Sequence, residues 1–287
     1  MSSLSNDSRV TVRDVDGLRQ RVRSWKKSGL SVALVPTMGA LHRGHIELMH
    51  RAHAMADRII ATIFVNPSQF GPTEDFNAYP RDEARDFEML EKVGVHVLFA
   101  PTVAEMYPTG FATTVSVAGF TDVLCGPFRP GHFAGVATVV TKLLLQAEPD
   151  IALFGEKDFQ QLAVIKKLTA DLNIPTDIIG VPTVRETDGL AMSSRNAYLS
   201  PVERTIAPAL YQAIYEAAEN IANGNDPAAA VEQARQCVLN AGFRAIDYVE
   251  ARHAETLALL KQGEKNGRVF AAAHLGRARL IDNVEIS

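Results

Sequence analysis

Two histidines, His42 and His45, stand three positions apart in the stretch PTMGALHRGH, with Gly44 between them. Imidazole has an ordinary pKa of roughly 6.5, so near neutrality it can donate a hydrogen bond in either charge state. Gly44 carries no side chain and lets a ligand approach the backbone closely. If the pair sits where loop turns into helix, the free backbone N–H groups and the helix dipole favour an anion there. Two such donors suit the charge that builds on a nucleotide's phosphates when one of them is attacked. With 8 His and 19 Gly in 287 residues, His-x-Gly-His is expected about 0.015 times by chance, which makes the motif suggestive. Two solvated histidines at a helix start remain the plain alternative. Zinc sites add Cys or a carboxylate at ligand spacing, as in HExxH. That pattern is absent here, so His50 and His53 read as a solvated helix face.

Two further loops carry residues of the same chemical kind. In GEKDFQQ, Gly155 permits close backbone approach, Lys157 is a mobile point charge for a phosphate, and Asp158 can cap a helix, bond a ribose hydroxyl or help hold Mg²⁺. In MSSRNAYLS, Ser193 and Ser194 offer hydroxyls, and Arg195 offers a planar fork that bonds two phosphate oxygens at once. Taken singly, the first is also an ordinary N-cap and the second a surface loop before a helix. Their joint occurrence with the histidine pair points to one shared anionic ligand.

The elements that must position these loops follow from periodicity. Apolar positions predict helices over residues 14–28, 45–56, 81–94, 133–147 and 158–172. Continuous apolar runs predict strands over residues 31–37, 58–65, 95–101, 150–155 and 177–184, with a further strand-like piece, FATTVSVAG, at 111–119. Alternating helices and continuously apolar strands imply an α/β fold, a parallel sheet with helices on both faces. Ligands in such sheets bind at the carboxyl ends of strands, and all three loops follow a strand. Beyond residue 187 the order changes to helices (201–223, 227–241) and then strands (245–253, 268–276, 278–286), which predicts a smaller C-terminal α+β domain. The expected domains are therefore 1–186 and 187–287.

Composition bounds the functional classes. The chain is 47% apolar and 22% charged with a formal net charge of −4, an ordinary globular profile without the clustered basic charge of a nucleic-acid surface. Two distant cysteines, Cys125 and Cys237, form no disulfide framework or zinc pattern and suggest a reducing compartment. The polar start MSSLSNDSRV has no apolar stretch of a signal peptide, and no run of about 18 apolar residues occurs. The expectation is a cytoplasmic protein with no nucleic-acid or membrane partner.

PTMGALHRGH, FVNPSQFGPTEDFNAYPR, RPGHFAGVATVV, FGEKDFQQ and MSSRNAYLS, in this order and followed by ARLIDN, resemble the pantoate–β-alanine ligase family. That family lies within the HxGH nucleotidyl-transferring superfamily, which includes the class I aminoacyl-tRNA synthetases. The resemblance implies two steps: ATP and (R)-pantoate give pantoyl adenylate and pyrophosphate, then the amine of β-alanine attacks the acyl carbon to give pantothenate and AMP. It also implies a Rossmann-like N-terminal domain, a C-terminal lid, a homodimer, and ATP with Mg²⁺ as cofactors, the Mg²⁺ ligands being unassigned. By motif, Met38, Gly39, Ala40, Leu41, His42, Arg43, Gly44 and His45 form the nucleotide loop, with His45 the family's proton donor. Gly155, Glu156, Lys157, Asp158, Val184, Met192, Ser193, Ser194 and Arg195 complete the ATP site. His42, His45, Lys157, Ser193, Ser194 and Arg195 carry the charge neutralisation. Gln69 and Gln161 bind pantoate, with Gln69 also near β-alanine, and Asn66, Tyr79 and Arg129 are further candidates. Residues 71–82 are expected to form a mobile gate that keeps water from the adenylate. A cytidylyltransferase, a tRNA synthetase and a non-catalytic nucleotide sensor are the competing readings.

Overall fold

The computed structural model describes residues 10–72 and 74–287. The first nine residues, most of the polar start read above, and Thr73 of the expected gate lie outside the described residues. The chain divides into two compact units. One comprises Met1–Val117, Pro130–Gly155 and Val164–Val181; the other comprises Ala118–Arg129, Glu156–Ala163 and Pro182–Ser287.

The first unit is built on six parallel strands: β1 (Val10–Val12), β2 (Val32–Thr37), β3 (Arg58–Ile63), β4 (Val97–Phe99), β5 (Ile151–Gly155) and β6 (Asp177–Val181). Their order is β1-β4-β3-β2-β5-β6. The sheet therefore winds outward in both directions from β2 and β5, and the switch point lies between their ends. Helices α1 (Val15–Lys27), α2 (Arg43–His53), α3 (Glu83–Lys92), α4 (Val103–Met106), α5 (Cys125–Phe128), α6 (His132–Ala147) and α7 (Phe159–Asp171) fall between the strands, α5 belonging to the second unit.

Local chemistry explains these elements. Asp14 caps α1 by accepting the Gly17 N–H, and Leu18, Val22 and Trp25 form its single buried stripe. Ala33 and Val35 of β2 pack on Leu48, Met49 and Ala52 of α2, while the alternating Val32 and Leu34 are also fully buried, and α1 and α6 lie against the same strand. Helices on both faces explain why the strands read as unbroken apolar runs.

In the second unit α8 (Pro201–Ile206), α9 (Ala209–Ala222) and α10 (Pro227–Asn240) precede an antiparallel sheet of β7 (Ala245–His253), β8 (Gly267–Leu275) and β9 (Ala278–Ile286). Val269, Ala271, Ala273 and Leu275 of β8 share one core with Leu210, Ile214, Ala217 and Val238 of α9 and α10.

The structure departs from the sequence expectations at several places. The single helix over 201–223 is two, because Pro208 has no N–H to donate and its ring obstructs the preceding turn. FATTVSVAG pairs with no strand among the described residues, and Val115 N bonds the Thr138 hydroxyl instead. The sixth strand stops at Val181, and α2 begins at Arg43. β1, a three-residue edge strand on β4, was not expected. Among the described residues no helix is long and apolar enough to cross a membrane.

Candidate active site

The histidine loop leaves the carboxyl end of β2. Thr37 Oγ1 bonds Thr62 O at 2.6 Å and accepts Gly39 N at 3.1 Å, so the turn starts from a braced strand end. Gly39 (φ 81°) and Ala40 (φ 51°) are both left-handed. A Cβ on Gly39 would lie 2.9 Å from Asp86 Oδ2 and 3.2 Å from Ile63 Cγ2, which is why a glycine stands there. Asp86 reaches in from the first turn of α3 and accepts Ala40 N and Leu41 N, each at 2.8 Å. Its side chain is buried, and that desolvation pushes its pKa above the usual carboxylate value against the pull of the two backbone bonds.

His42 is the N-cap of α2. Its Nδ1 accepts Gly44 N at 3.1 Å, while His45 Nδ1 accepts His42 N at 3.3 Å, a reciprocal capping box. The rings lie 4.1 Å apart, centroid to centroid. Since both Nδ1 atoms accept, the neutral rings carry their protons on Nε2. The backbone thus sets the tautomer that makes each Nε2 a donor. Met38 connects this loop to Gln69: Gln69 Nε2 lies 3.0 Å from Met38 Sδ.

Gln69 closes a 3₁₀ turn, Pro67–Gln69, after β3 and is buried. Asn66 Nδ2 donates to Gln69 Oε1 at 3.0 Å and to Gly135 O at 3.1 Å, and Tyr107 OH donates to Asn66 Oδ1 at 2.8 Å. His132 Nδ1 donates to Gln69 O at 2.9 Å. A Cβ at Gly135 would sit 2.3 Å from Ser68 O, so α6 and this turn meet backbone to backbone. Ser68, Tyr107, Gly135 and Thr138 line a cavity of about 370 Å³ beside the turn. Tyr79 is buried and packs edge-on to Phe70 at 6.0 Å.

In the second unit, Glu156–Asp158 form a 3₁₀ turn that directly continues β5 into α7. Lys157 Nζ lies 3.7 Å from Asp158 Oδ2. Gln161 falls on the first turn of α7, partly exposed; its neighbour Gln160 is buried and bonds Cys125 N, Phe120 O and Val123 O. Arg129 ends α5. Met192 N donates to Val184 O at 3.0 Å, which brings two residues eight positions apart together. Ser193 caps the 3₁₀ turn Ser194–Tyr198 by accepting Arg195 N at 3.2 Å.

The candidate residues therefore fall into two groups. Met38 to His45 and Gln69 meet in the first unit at the end of β2, the strand beside β5 and Gly155. Glu156, Lys157, Asp158, Gln161, Val184 and Met192 to Arg195 belong to the second. The supporting residues Asp86, His132, Gly135, Arg185, Asp282 and Asn283 were not assigned from sequence. Asp86 had a readable signal, an acid sharing the buried stripe of α3 with Leu90.

An open parallel sheet with a switch point, and a histidine-capped helix leaving the strand at that point, define an α/β protein of the Rossmann-like class whose central strand ends can receive an anionic ligand. The family model for pantoate–β-alanine ligase matches residues 10–285, and the chain belongs to this family. It is 58% identical to the pantothenate synthetase of Paramagnetospirillum magneticum over 96% of this chain and 97% of that one. The crystal structure of pantothenate synthetase from Thermus thermophilus superposes with a TM-score of 0.90 at 46% identity, covering 97% of this chain and 99% of the other. A pantoate–β-alanine ligase from Francisella tularensis, crystallised with β,γ ATP and β-alanine, gives a TM-score of 0.82 at 34% identity, covering 97% and 98%.

Proposed function

We propose that this chain condenses (R)-pantoate with β-alanine, driven by ATP, through a pantoyl adenylate. The observation that carries the reading is the reciprocal capping of His42 and His45, whose Nδ1 atoms accept Gly44 N and His42 N at the start of α2, where β2 ends beside β5. A carboxylate is a weak nucleophile toward phosphorus and both reactants are anionic, so positioning and charge neutralisation must supply most of the rate. The pantoate carboxylate attacks the α-phosphorus, the bond to the bridging oxygen breaks, and pyrophosphate leaves. The two imidazoles, with His45 as the donor to phosphate oxygen, Lys157, the hydroxyls of Ser193 and Ser194, and the Arg195 guanidinium stabilise that charge in this reading. The β-alanine amine then attacks the acyl carbon, AMP leaves, and a proton departs from nitrogen.

Gln69 fits the pantoate role because its carboxamide is held by Asn66 and Met38 and carries no charge that would restrain the attacking carboxylate. Gln161 is its counterpart on α7. Asp158 has the hard oxygen chemistry that Mg²⁺ takes and is partly exposed next to Lys157. The ion, bound with the nucleotide, would neutralise phosphate charge. The reading includes a lid role for residues 187–287, a cytoplasmic homodimer and small-molecule partners only.

The test is exchange of labelled pyrophosphate into ATP. Exchange that requires pantoate and needs neither CTP nor RNA supports the reading. No exchange, as from a nucleotide sensor, or exchange driven by CTP or an amino acid, overturns it. Light scattering at one protomer's mass would remove the dimer from the proposal.

A further inference from the structure

Two adjacent residues of β9, Asp282 and Asn283, are both buried, 5% and 3% exposed, although neither is apolar. Successive residues of a strand point to opposite faces of the sheet, and these two do different work on the two faces. Asp282 accepts Arg185 Nη1 at 2.6 Å and Nη2 at 3.0 Å, a bidentate pair. Arg185 also bonds Gly189 O at 3.0 Å and lies 3.9 Å over the Tyr211 ring. The pair locks β9 to the hairpin in which Val184 meets Met192.

On the other face, Asn283 Nδ2 donates to Glu156 O at 2.9 Å and to Lys157 O at 3.0 Å. Its Oδ1 accepts Arg268 Nη1 at 2.5 Å, and Arg268 stacks 4.2 Å over Phe159, the first residue of α7. Both amide hydrogens of one carboxamide thus go to consecutive carbonyls of the turn that carries Lys157. That arrangement orients the turn, since two carbonyls presented to one NH₂ group fix its rotation as well as its position. A residue that only filled the core here would be apolar, because a buried amide has to recover its desolvation cost through such bonds.

We propose that Asn283 is a positioning residue for Lys157: its carboxamide holds the Glu156–Asp158 turn so that the ammonium is presented to the phosphates during adenylate formation. The Asp282–Arg185 pair holds β9 in register for that task. This inference rests on the reading of Lys157 as a phosphate-binding residue.

A double-mutant cycle tests it with the full-length enzyme, using pantoate-dependent exchange of pyrophosphate into ATP. Asn283→Ala should slow exchange about tenfold or more and leave the KM for pantoate within twofold. In a Lys157→Ala background the same change should cost less than twofold, since Asn283 acts through the ammonium that is gone. An equal loss in both backgrounds, or full exchange by Asn283→Ala, overturns the proposal. Full exchange by Lys157→Ala alone overturns instead the phosphate role of Lys157, and this inference with it. If the alanine variant fails to fold, Asn283→Ser, which keeps one donor, goes through the same cycle with an intermediate loss expected and the same overturning outcome.

Discussion

Asp86 Oδ1 lies 2.8 Å from the backbone nitrogen of Leu41, with Oδ2 the same distance from that of Ala40. One buried carboxylate therefore sets the path of the loop that delivers both histidines. Asp86→Ala leaves the buried Leu41 N–H and the part-buried Ala40 N–H without this acceptor and is expected to cost about 1–3 kcal/mol of stability and to slow adenylation. The pH dependence has a definite sign. Burial raises the folded-state pKa above the ordinary 3.8, so the folded protein keeps this proton to a higher pH than the unfolded chain does. The contribution of this ionisation to stability is complete below the unfolded value and falls as pH climbs through the raised one. Urea melts of the wild type and Asp86→Asn from pH 4 to 7 should show the stability difference, wild type minus variant, shrinking as pH rises. A difference that grows with pH would refute this.

Gly135 carries a second backbone constraint. A methyl group there would stand 2.3 Å from Ser68 O and 2.6 Å from Gln69 N. The neighbours are main chain rather than flexible side-chain ends, so the Pro67–Gln69 turn must shift. Gly135→Ala is expected to cost about 1–3 kcal/mol and to raise the KM for pantoate more than that for ATP, because Gln69 sits on the displaced turn. Steady-state kinetics with each substrate varied in turn decide this; equal changes in both KM values would contradict it.

How much of this was legible in the sequence divides along a physical line. Groups that do chemistry announce themselves locally, as His42 and His45 do around Gly44. Groups that hold them act over long separations: Asp86 reaches back 46 residues to Ala40, and Asn283 reaches back 126 to Lys157. Nothing in the local pattern of LIDN says which turn its carboxamide will meet. The central strands were readable because burial on both faces makes them continuously apolar. β1 was not, since three residues of edge strand carry no periodicity. FATTVSVAG shows the converse, a β-branched run whose residue preference met no strand to pair with among the described residues.

His42 combines capping with the chemistry assigned to it, and one substitution separates them. Asparagine is among the best N-caps, so His42→Asn keeps an acceptor for the start of α2 while removing the Nε2 donor. Pyrophosphate exchange is expected to fall about 10²–10³-fold, with the thermal midpoint within about 4 °C of the wild type. His42→Ala should show the same loss of exchange together with about 1 kcal/mol less stability. Exchange within twofold of wild type in His42→Asn would reduce the residue to a helix cap.

The loop over residues 71–82 carries a packing of its own. Phe70 meets Phe76 at 5.4 Å and Tyr79 at 6.0 Å, and Arg81 Nη2 bonds Phe76 O at 2.7 Å with its guanidinium over the Phe76 ring. Phe76 is thus the residue on which the segment folds against itself. In the proposed reaction this segment is the gate, and its integrity matters after the first step, when an acyl adenylate must be kept from water. Phe76→Ala should therefore leave pantoate-dependent pyrophosphate exchange within about threefold while uncoupling the overall reaction, with AMP produced in excess of pantothenate. Measuring both products over one time course gives the ratio. A ratio of one, with exchange unimpaired, would show that adenylate retention does not depend on this packing and would remove the gate role from residues 71–82.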